Sequence, residues 1–332
     1  MDNQKVVTLK DIAEALNTSI NTVSRALKDK SDISDKMKEL VKKKALELGY
    51  IPNHVAVSLR NGSTRTIAIA FDNLMNPYYM IMADQLTTKL LELKYDTLIY
   101  RIEKGIITNE LIYKIFSRKV DAIICFSEPN QEICDSCKKQ NIPLVLVGRK
   151  NKYLDVSSIS CDDITGGYLA CKALFDAGCK MVGYLGAPRN IECSRRRNDG
   201  FRQYIKDNNY TFIPENYMYL SMDNEKIDKY IDKMLENGVD GIFCFNDMMA
   251  FDVMTYLKTK GYKVPRDIKI VGYDGLQENF SIPFNIASIS FNKEAFVSKI
   301  LDILFDYINH NKQEKQCVEF PTFFIKGDSC DI

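Results

Sequence analysis

The chain has 332 residues, 45% hydrophobic and 27% charged, with a formal net charge of +1. That composition suits a globular protein of two or three domains with a substantial core, and the near-neutral charge excludes a general polyanion binder. No run approaches the ~18 apolar residues of a membrane-spanning helix, and the N-terminus MDNQKVVTLKDIAEAL has early acids and no apolar signal core, so the chain reads as cytoplasmic with no membrane partner.

The charge is unevenly spread. Residues 1–62 hold 11 Lys/Arg against 8 Asp/Glu, a local net of +3, and the remainder holds 34 against 36, a net of −2. A basic head points toward nucleic acid. Ten cysteines, some inside apolar runs (Cys125, Cys244), read as reduced, buried thiols. Cys134 and Cys137 have CxxC spacing, but no second CxxC or histidine pair accompanies them. They are expected on a helix surface, with no metal and no cofactor.

Taken in chain order, the first elements are short helices. Thr8 caps a helix whose apolar face is Leu9, Ile12, Ala13 and Leu16, with Asp11 placed for a variant capping box. Asn17 tolerates the left-handed turn that ends it. Thr18 or Ser19 caps a second helix, Ile20 to Leu27. The gap of about three residues is helix-turn-helix spacing. A third helix runs from Asp35, capped by Ser34, to Leu48, with Met37, Leu40, Val41, Ala45 and Leu48 on its apolar face and Gly49 as its stop. Pro52 breaks the chain. Asn53 to Leu59 forms a short helix too small to be stable alone, and Asn61-Gly62-Ser63 is a linker.

From Thr66 onward the pattern alternates. Strand-type apolar runs occur at 66–71, 97–100, 122–126, 144–147, 181–185, 241–245 and 268–272, with helical stretches between them, and Phe320 to Ile325 reads as a closing strand. Near-uniform apolarity between helices implies parallel sheets covered on both faces. The strand run restarts after about residue 165. Two doubly wound lobes are therefore expected, with ligand between facing strand ends. No GxSxG, Walker A loop, GxGxxG after the first strand or metal-ligand cluster argues for an enzyme, and no catalytic residue is assigned.

The residues Val7-Thr8-Leu9-Lys10-Asp11-Ile12-Ala13, Ser19 to Leu27, and Leu48-Gly49-Tyr50-Ile51-Pro52-Asn53 with Ala56 and Leu59 resemble the DNA-binding head of the LacI/GalR family. The likeness continues through Asn76-Pro77-Tyr78-Tyr79, Asp162 to Gly167, Arg197 to Phe201, Phe245-Asn246-Asp247 and Val271 to Asp274. It implies an α/β protein: an all-α helix-turn-helix head over 1–50, a hinge helix and linker over 51–64, and a periplasmic-binding-protein-like sensor over 65–332. The sensor's N-lobe is expected at about 65–165 and 290–318, its C-lobe at about 166–289 and 319–332.

The resemblance also assigns roles. Ile20, Asn21 and Arg25 read bases. Arginine's fork matches guanine O6 and N7, asparagine pairs with adenine, and isoleucine touches a thymine methyl. Thr8, Ser19, Thr22, Ser24 and Asn53 match phosphate-contacting positions, while Val23 packs the head. Leu59 wedges into the minor groove. Ala56 lets the hinge helices of two protomers approach, which implies a homodimer on a pseudo-palindromic double-stranded DNA operator.

Arg197, Asn246 and Asp274 match effector-holding positions. Tyr78 and Tyr79 offer aromatic faces and Arg149 stands at another strand end, a set that suits a sugar or related small molecule. Arg195-Arg196-Arg197 would suit an anionic effector unless Arg197 alone turns inward and its neighbours are solvated. Two departures stand out: Gly148-Arg149 replaces a frequent Asp-Arg pair, which puts the effector class in doubt. Lys326-Gly327-Asp328-Ser329 replaces a usual Arg-Glu-Ser, with an effect expected only at a surface strand end. The implied activity is transcription regulation, most often repression, controlled by the effector. Control by a protein partner, or a small-molecule enzyme on the same fold, are the alternatives.

Overall fold

The computed structural model describes residues 7–51, 63–103, 105–149, 156–220, 226–280, 284–310 and 315–331. The chain divides into two compact units, Met1–Thr64 and Arg65–Ile332.

The first unit holds helices α1 (Leu9–Ala15), α2 (Ile20–Leu27) and α3 (Asp35–Glu47). The Thr8 backbone N–H and hydroxyl both donate to Asp11 Oδ2, at 2.7 and 2.6 Å, which anchors the start of α1. Asn17 takes the left-handed conformation (φ 48°), and Ser19 Oγ accepts from Thr22 N at 3.0 Å to start α2. Ser34 caps α3 and Gly49 (φ 67°) follows it. Ile12, Ala13, Val23, Ala26, Val41 and Ala45 form the buried core, with Leu9, Leu16 and Met37 packed against it. Two residues expected on the apolar face of α3 lie outside that core. Leu40 is 46% exposed and Leu48 37%, because a core of six small and medium side chains is covered by a narrower stripe than the helix offers. Asn53, Ala56 and Leu59 lie outside the described residues.

The second unit contains two six-stranded sheets. The first has the order β11-β5-β4-β3-β1-β2, where β1 is Thr66–Phe71, β2 Asp96–Arg101, β3 Ala122–Cys125, β4 Leu144–Val147, β5 Ser157–Cys161 and β11 Cys317–Phe320. All its pairings are parallel. The second has the order β12-β10-β9-β8-β6-β7, where β6 is Val182–Gly186, β7 Tyr217–Tyr219, β8 Gly241–Cys244, β9 Lys269–Tyr273, β10 Ala287–Ser290 and β12 Phe323–Ile325. Only β12 runs antiparallel. The intervening helices are α4 (Pro77–Glu92), α5 (Asn109–Ser117), α6 (Gln131–Lys139), α7 (Asp163–Asp176), α8 (Glu192–Asp207), α9 (Asp228–Glu236), α10 (Asp247–Thr259) and α11 (Lys293–His310).

Uniform apolarity of the strands has the expected cause. In β1, Ile67, Ile69 and Phe71 enter the core on one face of the sheet while Ala68 and Ala70 enter the core on the other. The chain passes between the lobes after β5, after β10 and after β11. Glu319 and Phe320 lie in the first sheet, two residues past the expected boundary, because β11 stays paired with β5 up to Cys161.

Two further expectations are corrected here. Cys134 and Cys137 are not on a helix surface. They face the core beneath the first sheet, and burial pushes their thiols up to about 11 and about 12, which leaves them unreactive. Ser329 is not at a surface strand end either. It is fully buried, donates to Ile270 O at 2.7 Å and accepts from Ala287 N at 2.9 Å, so it stitches β9 to β10.

Candidate functional site

The expected effector residues sit at the carboxyl ends of the strands of the two sheets, where open α/β sheets bind ligands. Their placement begins with glycine. A Cβ on Gly167 would lie 1.9 Å from Arg197 O, and one on Gly200 1.8 Å from Ile164 O. Only glycine permits α7 and α8 to touch backbone to backbone. That contact brings Arg197 of α8 onto Asp163 of α7, Nε to Oδ1 at 2.9 Å, with both side chains buried.

Arg197 is held from several directions. Nη1 donates to Phe245 O at 2.5 Å, and the guanidinium lies 3.4 Å from the Tyr273 ring centre and 4.7 Å from that of Phe245. One cation thus ties α7 to the ends of β8 and β9. Burial raises the Asp163 carboxyl above its ordinary range, with the charge of Arg197 opposing the shift. Asp163 was not singled out in the sequence. Its signal is an acid next to the glycine pair of Asp162-Asp163-Ile164-Thr165-Gly166-Gly167.

Asp274 follows β9 with φ 112°, a left-handed conformation that costs a non-glycine residue about 1–3 kcal/mol. The turn is cemented from several directions. Asp274 N donates to Ile289 O at 2.9 Å, Gly275 N to Ser288 Oγ at 3.1 Å, and Leu276 N to Asp247 Oδ2 at 2.8 Å. Ser288 Oγ also donates to Asp247 Oδ1 at 2.6 Å, and Lys293 Nζ reaches Gly275 O at 3.3 Å. Gly272 is required beside this anchor, since a Cβ there would meet Asp247 Oδ1 at 2.1 Å.

The Asp274 carboxylate is buried and makes no hydrogen bond to the described residues. Burial pushes it up to about 8 and Asp247 up to about 7. Asp72 Oδ1 is likewise buried without a hydrogen-bond partner among the described residues. Buried polar groups left open in this way mark a site for something else to bind.

Asn246 stands at the end of β8, but its Oδ1 caps α10 by accepting from Met249 N at 2.8 Å, which leaves its amide as a donor. Arg149, after β4, lies with Nη2 3.8 Å from Asp72 Oδ2 and Nη1 3.9 Å from Cys193 Sγ of α8, so it spans the lobes. Tyr79 packs edge-on to Phe71 and Phe126, and Tyr78 edge-on to Tyr79 and Phe291. The three-cation run divides. Arg197 alone is buried, Arg196 pairs with Glu319 of the first sheet, and Arg195 Nη1 donates to Arg189 O at 2.8 Å. Arg196 therefore bridges the lobes, where solvation was the expectation for it, and no anion-binding cluster of three arginines forms.

In the head, Ile20 (48% exposed), Asn21 and Arg25 are exposed on α2 while Val23 is fully buried. Thr22 and Ser24 are half-buried, and the Ser19 and Thr22 hydroxyls are 2.9 Å apart. Thr8 and Ser19 each hold a helix start. No helix of the described residues is long and apolar enough to cross a membrane, and no group of three or more metal-type ligands occurs among them.

A helix-turn-helix unit joined to a two-lobed sensor is the build of a DNA-binding transcription regulator. Residues 8–53 match the family model of "Bacterial regulatory proteins, lacI family", and residues 171–330 match that of "Periplasmic binding protein-like domain". Similar curated proteins include the HTH-type transcriptional repressor PurR of Pasteurella multocida, 26% identical over 97% of this chain and 98% of that one. The HTH-type transcriptional regulator MalR of Clostridium butyricum is 25% identical over 97% and 98%. Among solved structures, the Lac repressor dimer bound to operator and the anti-inducer ONPF has a TM-score of 0.82, at 22% identity over 99% of this chain and 100% of that one. The transcriptional regulator CelR–cellobiose complex has a TM-score of 0.70, at 20% identity over 97% and 99%. The chain belongs to the LacI/GalR family, and it is a DNA-binding transcription regulator and not an enzyme.

Proposed function

We propose that this regulator is a homodimeric repressor that binds a pseudo-palindromic operator and is controlled by a small polyhydroxylated ligand, a sugar or sugar derivative, held between the sensor lobes. The observation that carries the ligand reading is the buried Asp274 carboxylate. It has no hydrogen-bond partner among the described residues, sits on a strained turn, and lies with Arg197 and Tyr273 at the facing strand ends. Such a carboxyl group exchanges hydrogen bonds with hydroxyls, Arg197, Arg149 and the Asn246 amide donate, and Tyr78 and Tyr79 supply ring faces. The Lac repressor and CelR structures, one with an anti-inducer and one with cellobiose, support a cleft ligand of this type. Ile20, Asn21 and Arg25 read bases, Thr8, Ser19, Thr22, Ser24 and Asn53 face phosphates, and Ala56 and Leu59 serve the hinge. Ligand acts by favouring one lobe arrangement over the other, which requires different affinities for the two states. The chain works in the cytoplasm.

The experiment is selection of bound sites from a random duplex pool, with Arg25→Ala and Leu59→Ala as controls, followed by a thermal-shift screen of sugars. A ligand at 100 times its Kd stabilises the sensor by about 2.7 kcal/mol. The expected result is a two-fold symmetric site weakened by both changes, and a sugar-induced shift abolished by Asp274→Ala. Absence of any enriched site from folded dimer would overturn the operator reading. A ligand shift that survives Asp274→Ala would overturn the cleft assignment.

A further inference from the structure

Arg25 is not free on the surface of α2. Its Nε donates to Asp32 Oδ2 at 2.7 Å and its Nη2 lies 2.6 Å from the same oxygen. Both contacts leave one side of the guanidinium. Nη1 and the outward N–H of Nη2 remain, and this end-on pair of donors can match guanine O6 and N7.

Asp32 is itself well placed. The loop that carries it turns at Asp29 (φ 51°), closes through Lys30 N to Arg25 O at 3.1 Å and Ile33 N to Lys30 O at 3.2 Å, and is pinned by Lys42 Nζ to Asp29 Oδ1 at 2.6 Å. Ile33 packs against the head core, and Ser34 caps α3 immediately afterwards. An acid on a loop tethered at these points keeps its acceptor within reach of Arg25, which biases the long arginine side chain toward one orientation before DNA arrives.

We propose that Asp32 is a positioning residue for base recognition, which holds the guanidinium of Arg25 so that its free edge faces one guanine. The proposal rests on reading Arg25 as a base-contacting residue. It makes a distinction that charge alone does not. A carboxylate beside the DNA surface repels phosphates at every sequence, so its removal raises affinity uniformly. Loss of the orientation it imposes lowers discrimination at a single base pair.

The test uses the full chain. Sites are selected from a random duplex pool, and the base pair whose preference is relaxed by Arg25→Ala is identified. Affinities for the selected site and its three single-base variants at that pair are then measured at fixed salt for wild type, Asp32→Ala and Asp32→Asn. Asparagine keeps an oxygen that accepts from Arg25 and loses only the charge. Both variants are expected to bind the three single-base variants more tightly, and Asp32→Asn the selected site as well. Asp32→Ala is expected to lose roughly fivefold of the guanine preference at that pair alone, the upper end of what a half-exposed ion pair contributes. Asp32→Asn is expected to keep that preference within about threefold, because the amide oxygen still accepts a hydrogen bond. Full preference in Asp32→Ala, equal loss in both variants, or sharpening in either would overturn the proposal while leaving Arg25 as a base reader. If Arg25→Ala relaxes no position, the Arg25 reading fails and the proposal with it.

Discussion

Replacement of Arg197 by methionine keeps much of the side-chain volume and removes the charge. In the wild-type sensor, Asp163 is 3% exposed and its buried partner lies 2.9 Å away. Methionine leaves that carboxylate uncompensated in a low-dielectric site, and breaking one half of a buried pair costs about 3–5 kcal/mol. This is a large part of the about 5–15 kcal/mol that holds a typical domain together. The companion Asp163→Asn leaves Arg197 without its counter-charge and is expected to cost a similar amount. The double variant should cost less than the sum of the singles by about 2 kcal/mol or more, because neither group then lacks a partner it needs. Urea unfolding is best followed by far-ultraviolet circular dichroism, since the chain has 18 tyrosines and no tryptophan. The deficit of Arg197→Met should also shrink as pH falls toward 4. Burial already raises Asp163, and loss of the cation raises it further. A raised folded-state pKa gives stability at low pH that is lost as pH rises through it. A single-variant cost below about 1 kcal/mol, or strictly additive costs, would refute the buried-pair reasoning.

Three further outcomes are expected. Gly200→Ala drives a methyl into the Ile164 carbonyl at 1.8 Å and should cost about 1–3 kcal/mol or more, lowering the unfolding temperature by several degrees in calorimetry. Asp274 is raised from 3.8 to about 8 by burial, so its contribution to stability is fully present below about pH 4 and is lost as pH rises through 8. Asp274→Asn should therefore flatten the fall in unfolding free energy between pH 5 and pH 8.5, and an unchanged slope would count against a buried acid. Ser329→Ala strands Ala287 N and Ile270 O in the interior and should cost about 1–3 kcal/mol in denaturant titration, whereas a surface serine would cost almost nothing.

Much of this protein is local and therefore legible in the sequence. Helix starts at Thr8, Ser19 and Ser34, the left-handed stop at Asn17, and the apolar strands at 66–71 and 144–147 follow from rules that act over a few residues, and the structure has all of them. The exposure of Ile20, Asn21 and Arg25 around a buried Val23 is equally a matter of helical period.

Other features depend on partners far along the chain. β5 (Ser157–Cys161) and β10 (Ala287–Ser290) carry serines into the interior and do not read as core strands. Burial is tolerated there because Ser157 Oγ meets Tyr307 OH at 2.5 Å, 150 residues away, and Ser288 Oγ meets Asp247 at 2.6 Å, 41 residues away. Asp163 became the counter-ion of Arg197 only because two glycines let α7 and α8 touch, and Arg196 found Glu319 on the other lobe. The sequence determined by itself which residues are chemically able to read DNA and to grip a ligand. Tertiary structure alone decided which of them are buried, paired or left open, because desolvation depends on what the rest of the chain places around a group.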